Sequence, residues 1–278
     1  MSGFTPGWLA LREAADHRAR DGMLAMALAD RLQANPLVRV VDLGCGTGSN
    51  IRATYALLGR QQHWTLVDYN PLLLEKAREV LPAWADSATI SGGELVLQKS
   101  GKTLVVAFRQ RDLVVDLDGA LGRECDLVTA SALFDLCSES FIAKFAAAVA
   151  QRKAVFYTVL TYNGVQRWVP ENTLDAPMAA AFHAHQNTDK GFGISAGPRA
   201  AGALAAAFRR ADYAVREADS PWLLTRSDQA LVDALVPGFA NAVSETGRLS
   251  AADVAAWLAQ ARYGAEVGHT DTLALPPG

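Results

Sequence analysis

The sequence predicts an α/β fold of the doubly wound kind, a mostly parallel seven-stranded sheet with helices on both faces. Three observations carry that expectation. Short apolar runs rich in valine and leucine, the profile of strands buried on both faces, recur along the first 160 residues. Segments of helical spacing separate them, which is the alternation a parallel sheet requires. The first of these runs ends in three closely spaced glycines, Gly44, Gly46 and Gly48, where a strand turns into a helix.

Taken in order, residues 7–33 read as helical, and Trp8, Arg12, Asp16 and Arg20 fall every four residues on one ridge. A polar ridge has two readings: a solvated face with i,i+4 pairs, or a helix folded over a ligand and offering an arginine fork to its carboxylate. Residues 37–43 form the first strand, 49–58 a helix and 63–68 the second strand. Asn70 then caps a helix that has Pro71 at its first position. Residues 94–109 read as a hairpin around Ser100-Gly101, with 103–108 as the third strand. Residues 126–130 and 154–160 are the fourth and fifth strands, with a helix over 138–151 between them. The stretch 163–197 is too long for an ordinary connection and reads as an insertion capping the sheet. Beyond it come a helix over 198–210, a strand over 213–217, a largely helical region over 227–262 and a last strand over 270–275. The expected organisation is an N-terminal helical lid (1–36), a core (37–162), a cap (163–197) and a C-terminal part of the core with a helical insertion (198–278).

Bulk properties narrow the class. At 278 residues the chain suits one large domain with insertions. Half its residues are hydrophobic, and no apolar run approaches the roughly 18 that would cross a bilayer. Arg12, Glu13, Asp16, Arg18 and Arg20 interrupt the first twenty residues, unlike the apolar core of a secretory signal, so a cytoplasmic protein without a membrane partner is expected. A net charge of −3 supplies no field to gather a polyanion, which disfavours nucleic acid. Cys45, Cys125 and Cys137 are odd in number and lack ligand spacing, so reduced thiols and no metal site are expected. Oligomeric state is not legible.

The chemistry concentrates in Val40-Val41-Asp42-Leu43-Gly44-Cys45-Gly46-Thr47-Gly48. Its glycines permit a tight turn and close approach to a ligand. A dinucleotide fingerprint, G-x-G-x-x-G, would place its last glycine where Ser49 stands. Asp68 closes the second strand in Trp64-Thr65-Leu66-Val67-Asp68-Tyr69-Asn70-Pro71, where an acid can accept from two vicinal hydroxyls. Asp112, in Arg111-Asp112-Leu113, is either a turn former or a ligand contact. A fourth segment runs from Cys125 to Leu136 and includes Ser131, Phe134 and Asp135.

These four segments, in this order, resemble those of the class I S-adenosylmethionine-dependent methyltransferases, a Rossmann-like family. Val41 to Gly48 is similar to its motif I nearly letter for letter, and the similarity covers residues 37–160. The resemblance implies S-adenosylmethionine as cofactor, with S-adenosylhomocysteine as product. It puts Gly44, Cys45, Gly46, Thr47 and Gly48 at the amino-acid part of that cofactor and Asp42 near its amino group. It puts Asp68 at the ribose and Asp112 with the backbone of Leu113 at the adenine. Asn50, Tyr69, Asn70 and Ser131 complete the implied cradle, and Arg20 joins it on the lid reading.

His185 to Gly193 is similar to stretches in bacterial small-molecule methyltransferases, and His185 is the candidate general base, set against a surface histidine. Phe134, Asp135, Tyr162, Asp189, Lys190 and Phe192 are the candidate acceptor contacts, the aromatic ones set against plain packing. Methyl transfer from a sulfonium is an in-line displacement, so alignment alone can account for roughly 7–11 kcal/mol of the barrier. The expected activity is methylation of a small molecule on O, N or C. The alternatives are a non-catalytic cofactor sensor and an NAD-dependent oxidoreductase.

Overall fold

The structure, a computed structural model, describes residues 4–278, so residues 1–3 of the expected lid lie outside the described residues. The expected N-terminal helix is two helices. Helix α1 (Pro6–Ala19) starts where Thr5 Oγ1 accepts from Trp8 N, and α2 (Gly22–Leu32) starts where Asp21 accepts from Leu24 N at 2.7 Å. Asp21 breaks the helix because its side chain serves the next N-terminus.

Then follow β1 (Val38–Leu43), α3 (Ser49–Thr54), β2 (Gln61–Asp68) and α4 (Pro71–Trp84), the last capped by Asn70 as its sequence suggests. The hairpin region contributes β3 (Ser87–Ser91), β4 (Glu94–Lys99) and β5 (Lys102–Gln110). Beyond it lie α5 (Leu117–Leu121), β6 (Leu127–Ser131), α6 (Glu139–Gln151) and the long β7 (Val155–Val169). The remainder is α7 (Asp175–Gln186), α8 (Ala200–Arg210), β8 (Ala214–Asp219), β9 (Trp222–Leu224), α9 (Gln229–Glu245), α10 (Ala251–Leu258) and β10 (Gly264–Leu275). Among the described residues no helix is long and apolar enough to cross a membrane.

The sheet runs β3-β4-β5-β2-β1-β6-β7-β10-β8, with β9 paired to β10. Its core is the expected doubly wound set of seven, β5-β2-β1-β6-β7-β10-β8, in which β10 runs antiparallel to both neighbours. Three further strands make ten. β3 has little apolar pattern and is mostly exposed, and β9 has three residues, so neither carries a periodicity that sequence reasoning can detect.

Two apolar layers cover the sheet. One buries Leu24, Leu28 and Leu32 of α2 with Trp64, Leu66 and Tyr157. The other is centred on Phe134, Phe145, Phe156 and Phe208, whose rings meet at centroid distances between 4.7 and 6.1 Å. The expected insertion begins as the far half of β7 and continues into α7. Helix α9 packs on α7 and α10 on α9, around Trp168, Phe182, Phe239 and Trp257.

The polar ridge of α1 is not a solvated face. Arg12 and Asp16 are only 8% and 6% exposed, and the guanidinium grips the carboxylate through Nε and Nη2 at 2.9 and 3.1 Å. Trp222 of β9 donates its indole N–H to Asp16 and lies under the Arg12 guanidinium. Helix α1 is further tied to α3 by the Glu13–Arg52 pair. Removing one member of such a pair leaves a charge in a site built for two, so Asp16→Ala is expected to cost roughly 3–5 kcal/mol of unfolding free energy in urea titrations. A loss below about 1 kcal/mol, the range of exposed pairs, would show that this contact is incidental.

Candidate active site

The chain winds outward from β1 in both directions, to β2 and β5 on one side and to β6 and β7 on the other. The crevice at the carboxyl ends of β1 and β6 is therefore the topological switch point, where this architecture leaves room for a ligand. The glycine loop sits on it. Gly44, Gly46 and Gly48 all have positive φ, at 62°, 54° and 78°. A Cβ at Gly46 would stand 2.9 Å from Leu9 of α1, so the loop demands glycine for its backbone and for the helix above it.

Two hydrogen bonds fix the loop to the end of β2: Cys45 N donates to Val67 O, and Gly46 N donates to Asp68 Oδ2 at 2.9 Å. Asp68 Oδ1 also accepts from Asn70 N. A carboxylate has about four acceptor positions, so Asp68 keeps lone pairs free. Burial pushes its carboxyl up from the ordinary range, against the pull of these backbone donors.

Beneath the loop, Asn50 donates to Asp42 Oδ1 at 2.7 Å and to Thr129 of β6 at 3.1 Å. Thr54 donates to Asn50, and Arg20 Nη1 donates to Thr54 Oγ1 at 3.0 Å. Among the described residues, Asp42 Oδ2 and the Nε and Nη2 of Arg20 are buried with no partner. Unmatched buried charge of both signs is costly and is the pattern of a site shaped for a ligand. Burial pushes the Asp42 carboxyl up to about 7, opposed by the Asn50 bond and the Arg20 charge. Cys45 is also buried, which pushes its thiol well up, so it stays protonated and is no nucleophile.

The remaining candidates divide. Thr47 is buried in the loop, where its carbonyl accepts from Arg52, and Ser131 ends β6 at the crevice. Asn70 is spent on its helix cap and Tyr69 is 61% exposed. Asp112 forms a turn, accepting from Val114 N at 2.8 Å, and Leu113 is buried in the core beside it.

Of the candidate acceptor contacts, Asp135 and Tyr162 are near enough for the Asp135 charge to act on the Tyr162 hydroxyl, and the structure adds residues that sequence reasoning missed. Burial pushes the Asp135 carboxyl up to about 6, against the charge of Arg12. Tyr162 Oη lies 3.2 Å from Nε2 of His183, which is also 3.1 Å from Gly164 O. A carbonyl only accepts, so His183 carries its proton on Nε2, and the Tyr162 hydroxyl is left free to donate elsewhere. His269 of β10 lies between Tyr162 and Trp222, meeting both rings edge-on. Its Nδ1 is buried without a partner, and burial with Arg12 nearby lowers it to about 3, so the ring is neutral. Ala132 and Leu160 have positive φ without being glycine, at 52° and 60°.

Five of the expected site residues are engaged elsewhere. His185 points away from this cluster: its Nε2 pairs with Glu245 of α9 at 2.9 Å, and Lys190 approaches the same ring. Two residues along a helix turn a side chain by about 200°, which is why His183 rather than His185 meets Tyr162. Phe134 is fully buried among Phe145 and Phe156 and is packing, not pocket wall. Phe192 packs edge-on against Phe141, and Asp189 closes its own loop by accepting from Gly191 N and Gly193 N. Lys190 is accordingly a partner of His185 rather than of the Asp135–Tyr162 cluster.

The Asp42 shift makes a stability prediction. Its folded carboxyl binds a proton more readily than the unfolded one, whose pKa is about 3.9, so the folded state holds extra protons between about pH 4 and about 7. Stability conferred by the protonated form is therefore lost as pH rises through that window, and Asp135 adds in the same direction up to about 6. Asp42→Asn should flatten this decline in urea unfolding followed across pH, while an unchanged slope would refute the assignment.

No protein-family model matches the chain, and no curated protein sequence does. Its fold does match solved structures. A cyclopropane-fatty-acyl-phospholipid synthase-like protein from Lactobacillus casei aligns over 98% of this chain and 95% of its own, at 17% identity and a TM-score of 0.52. The cyclopropane synthase MmaA2 from Mycobacterium tuberculosis aligns over 98% and 94%, at 11% identity and a TM-score of 0.51. Magnesium protoporphyrin IX methyltransferase from Synechocystis aligns over 99% and 90%, at 11% identity and a TM-score of 0.49. The chain shares the α/β fold of the two cyclopropane synthase-type structures over nearly its whole length.

Proposed function

We propose that this protein is a methyltransferase that binds S-adenosylmethionine at the glycine loop and methylates a small molecule. The observation that carries the reading is the pair of unmatched buried charges at the switch point, Arg20 and Asp42. Those charges suit a zwitterion, a carboxylate against the guanidinium and an ammonium against the carboxylate, which is the amino-acid end of this cofactor. Nicotinamide dinucleotides bring no such zwitterion, which makes the oxidoreductase reading the weaker one.

In this reading Asp68 holds the ribose hydroxyls with its free lone pairs, and the loop from Gly44 to Gly48 lets the ligand lie against bare backbone. Ser131 borders the crevice on the β6 side. When bound, the cofactor supplies a methyl group on a sulfonium that departs as a neutral thioether. The protein's own work is alignment and exclusion of water. Helix α1 serves as a lid over the loop, and the α7 region with its neighbours serves as the cap over the acceptor. Asp135 and the free Tyr162 hydroxyl orient the acceptor. For a hydroxyl or amine acceptor the proton goes to Asp135, whose carboxyl near 6 is suited to general-base work at neutral pH.

Calorimetry tests the cofactor directly: S-adenosylmethionine and S-adenosylhomocysteine should bind and NAD should not. Asp68→Ala should weaken both about ten- to a hundred-fold, since it removes hydrogen bonds to a charged acceptor. Binding of NAD alone would overturn the reading. Catalysis is separated from sensing by incubating the protein with a metabolite extract and isotopically labelled cofactor, then searching by mass spectrometry for a labelled methylated product; its absence would leave the sensor.

A further inference from the structure

The unmatched groups beneath the glycine loop extend beyond Arg20 and Asp42. Asp42 of β1 is in register with Thr129 of β6, and Thr129 is in register with Tyr157 of β7. Residues in register on parallel strands share a face, so Asp42, Thr129 and Tyr157 form one row across the sheet. Tyr157 is fully buried, and its hydroxyl has no partner among the described residues. A buried phenol almost always finds an acceptor, so the orphan is informative. Burial and the nearby Asp271 carboxylate raise its pKa, so the hydroxyl keeps its proton and can donate; the Arg20 charge acts on it as well.

Arg20 is strung over this row from both ends. On one side its Nη1 is bound to Thr54. On the other, the next residue's backbone N–H, that of Asp21, donates to Asp271 Oδ2 of β10 at 2.9 Å. Asp271 is itself buried and heavily committed: its Oδ1 accepts from Leu160 N at 2.8 Å and from Ser220 Oγ at 2.6 Å. One carboxylate thus fixes the joint between α1 and α2, the left-handed bend of β7 at Leu160 and the start of β9's approach, all around the unsatisfied face of Arg20.

We propose that Tyr157 is a second donor, beside Arg20, to the carboxylate of the bound amino-acid group, and that Asp271 is the positioning residue that holds Arg20 in place. The inference rests on the cofactor reading above and deepens it. Arg20 Nε, Arg20 Nη2 and Tyr157 Oη are three buried, unmatched donors, and the Arg20 charge reaches Tyr157, which suits a carboxylate. Asp42 Oδ2 is the one unmatched acceptor in the row and takes the ammonium.

The test uses two thioethers that share one nucleoside and differ in the tail. S-adenosylhomocysteine carries the amino acid, and 5′-methylthioadenosine carries a methyl group in its place. Tyr157→Phe is expected to weaken S-adenosylhomocysteine about tenfold or more and to leave methylthioadenosine as in the wild type, with affinities read by calorimetry. Asp271→Asn should show the same selective loss. Because Asp271 also braces the fold, its thermal unfolding is followed in parallel, and Tyr157→Phe decides the matter alone if the Asp271 variant does not fold. An unchanged affinity in Tyr157→Phe, or an equal loss for both ligands, overturns the proposal. A wild-type protein that binds neither thioether removes the cofactor reading itself, a different result from a wild-type protein that binds both while Tyr157→Phe discriminates nothing.

Discussion

A peptide bend with three left-handed residues holds its shape only where something outside it fixes the ends. Here that constraint is the hydrogen bonding from the loop to the end of β2, Cys45 N to Val67 O and Gly46 N to Asp68 Oδ2. The bend cannot drift without breaking into the neighbouring strand. Because Asp68 is also the acid at the strand end, the group that shapes the loop and the group available to a ligand are one. Helix α1 then rests on the loop through Leu9 at Gly46, so its placement is inherited from the same bonds.

The interior around this bend is unusually polar. A bidentate ion pair, Arg12 with Asp16, meets a tryptophan of a three-residue strand, and a chain of side-chain bonds runs from Arg20 through Thr54 and Asn50 to Asp42. Polar groups out of water are expensive when partly satisfied. Their concentration at the switch point, while both sheet faces elsewhere are covered by aliphatic and phenylalanine side chains, separates the part of the molecule that maintains the fold from the part that meets ligands.

What was legible in the sequence was whatever is encoded locally. The glycine spacing, the strand-end Asp68 and the Asn70-Pro71 helix start each depend on residues a few positions apart, and the structure has them in those elements. The seven core strands themselves were legible as short apolar runs between helical segments, while their order across the sheet comes from the structure. What was not legible depends on partners distant in the chain. Arg12 and Asp16 looked solvated because the indole that covers them is at Trp222, 206 residues beyond Asp16. His183 and His185 are indistinguishable by composition, and only the placement of Tyr162 and Gly164 on one side and Glu245 on the other assigns them different neighbours. His269 and Asp271 carried no motif at all, since their roles arise from β10 lying beside β7.

The bond from Asp21 N to Asp271 spans 250 residues of chain. A contact of that separation carries the entropic cost of closing a very long loop, which the structure folded in between offsets. The glycine bend depends on the pairing of β1 with β2, whereas the arginine beside it also depends on β10 lying between β7 and β8. The seat of this arginine is thereby a property of the whole chain, drawn from its first helices and its last strand together, and no half of the sheet could supply it alone.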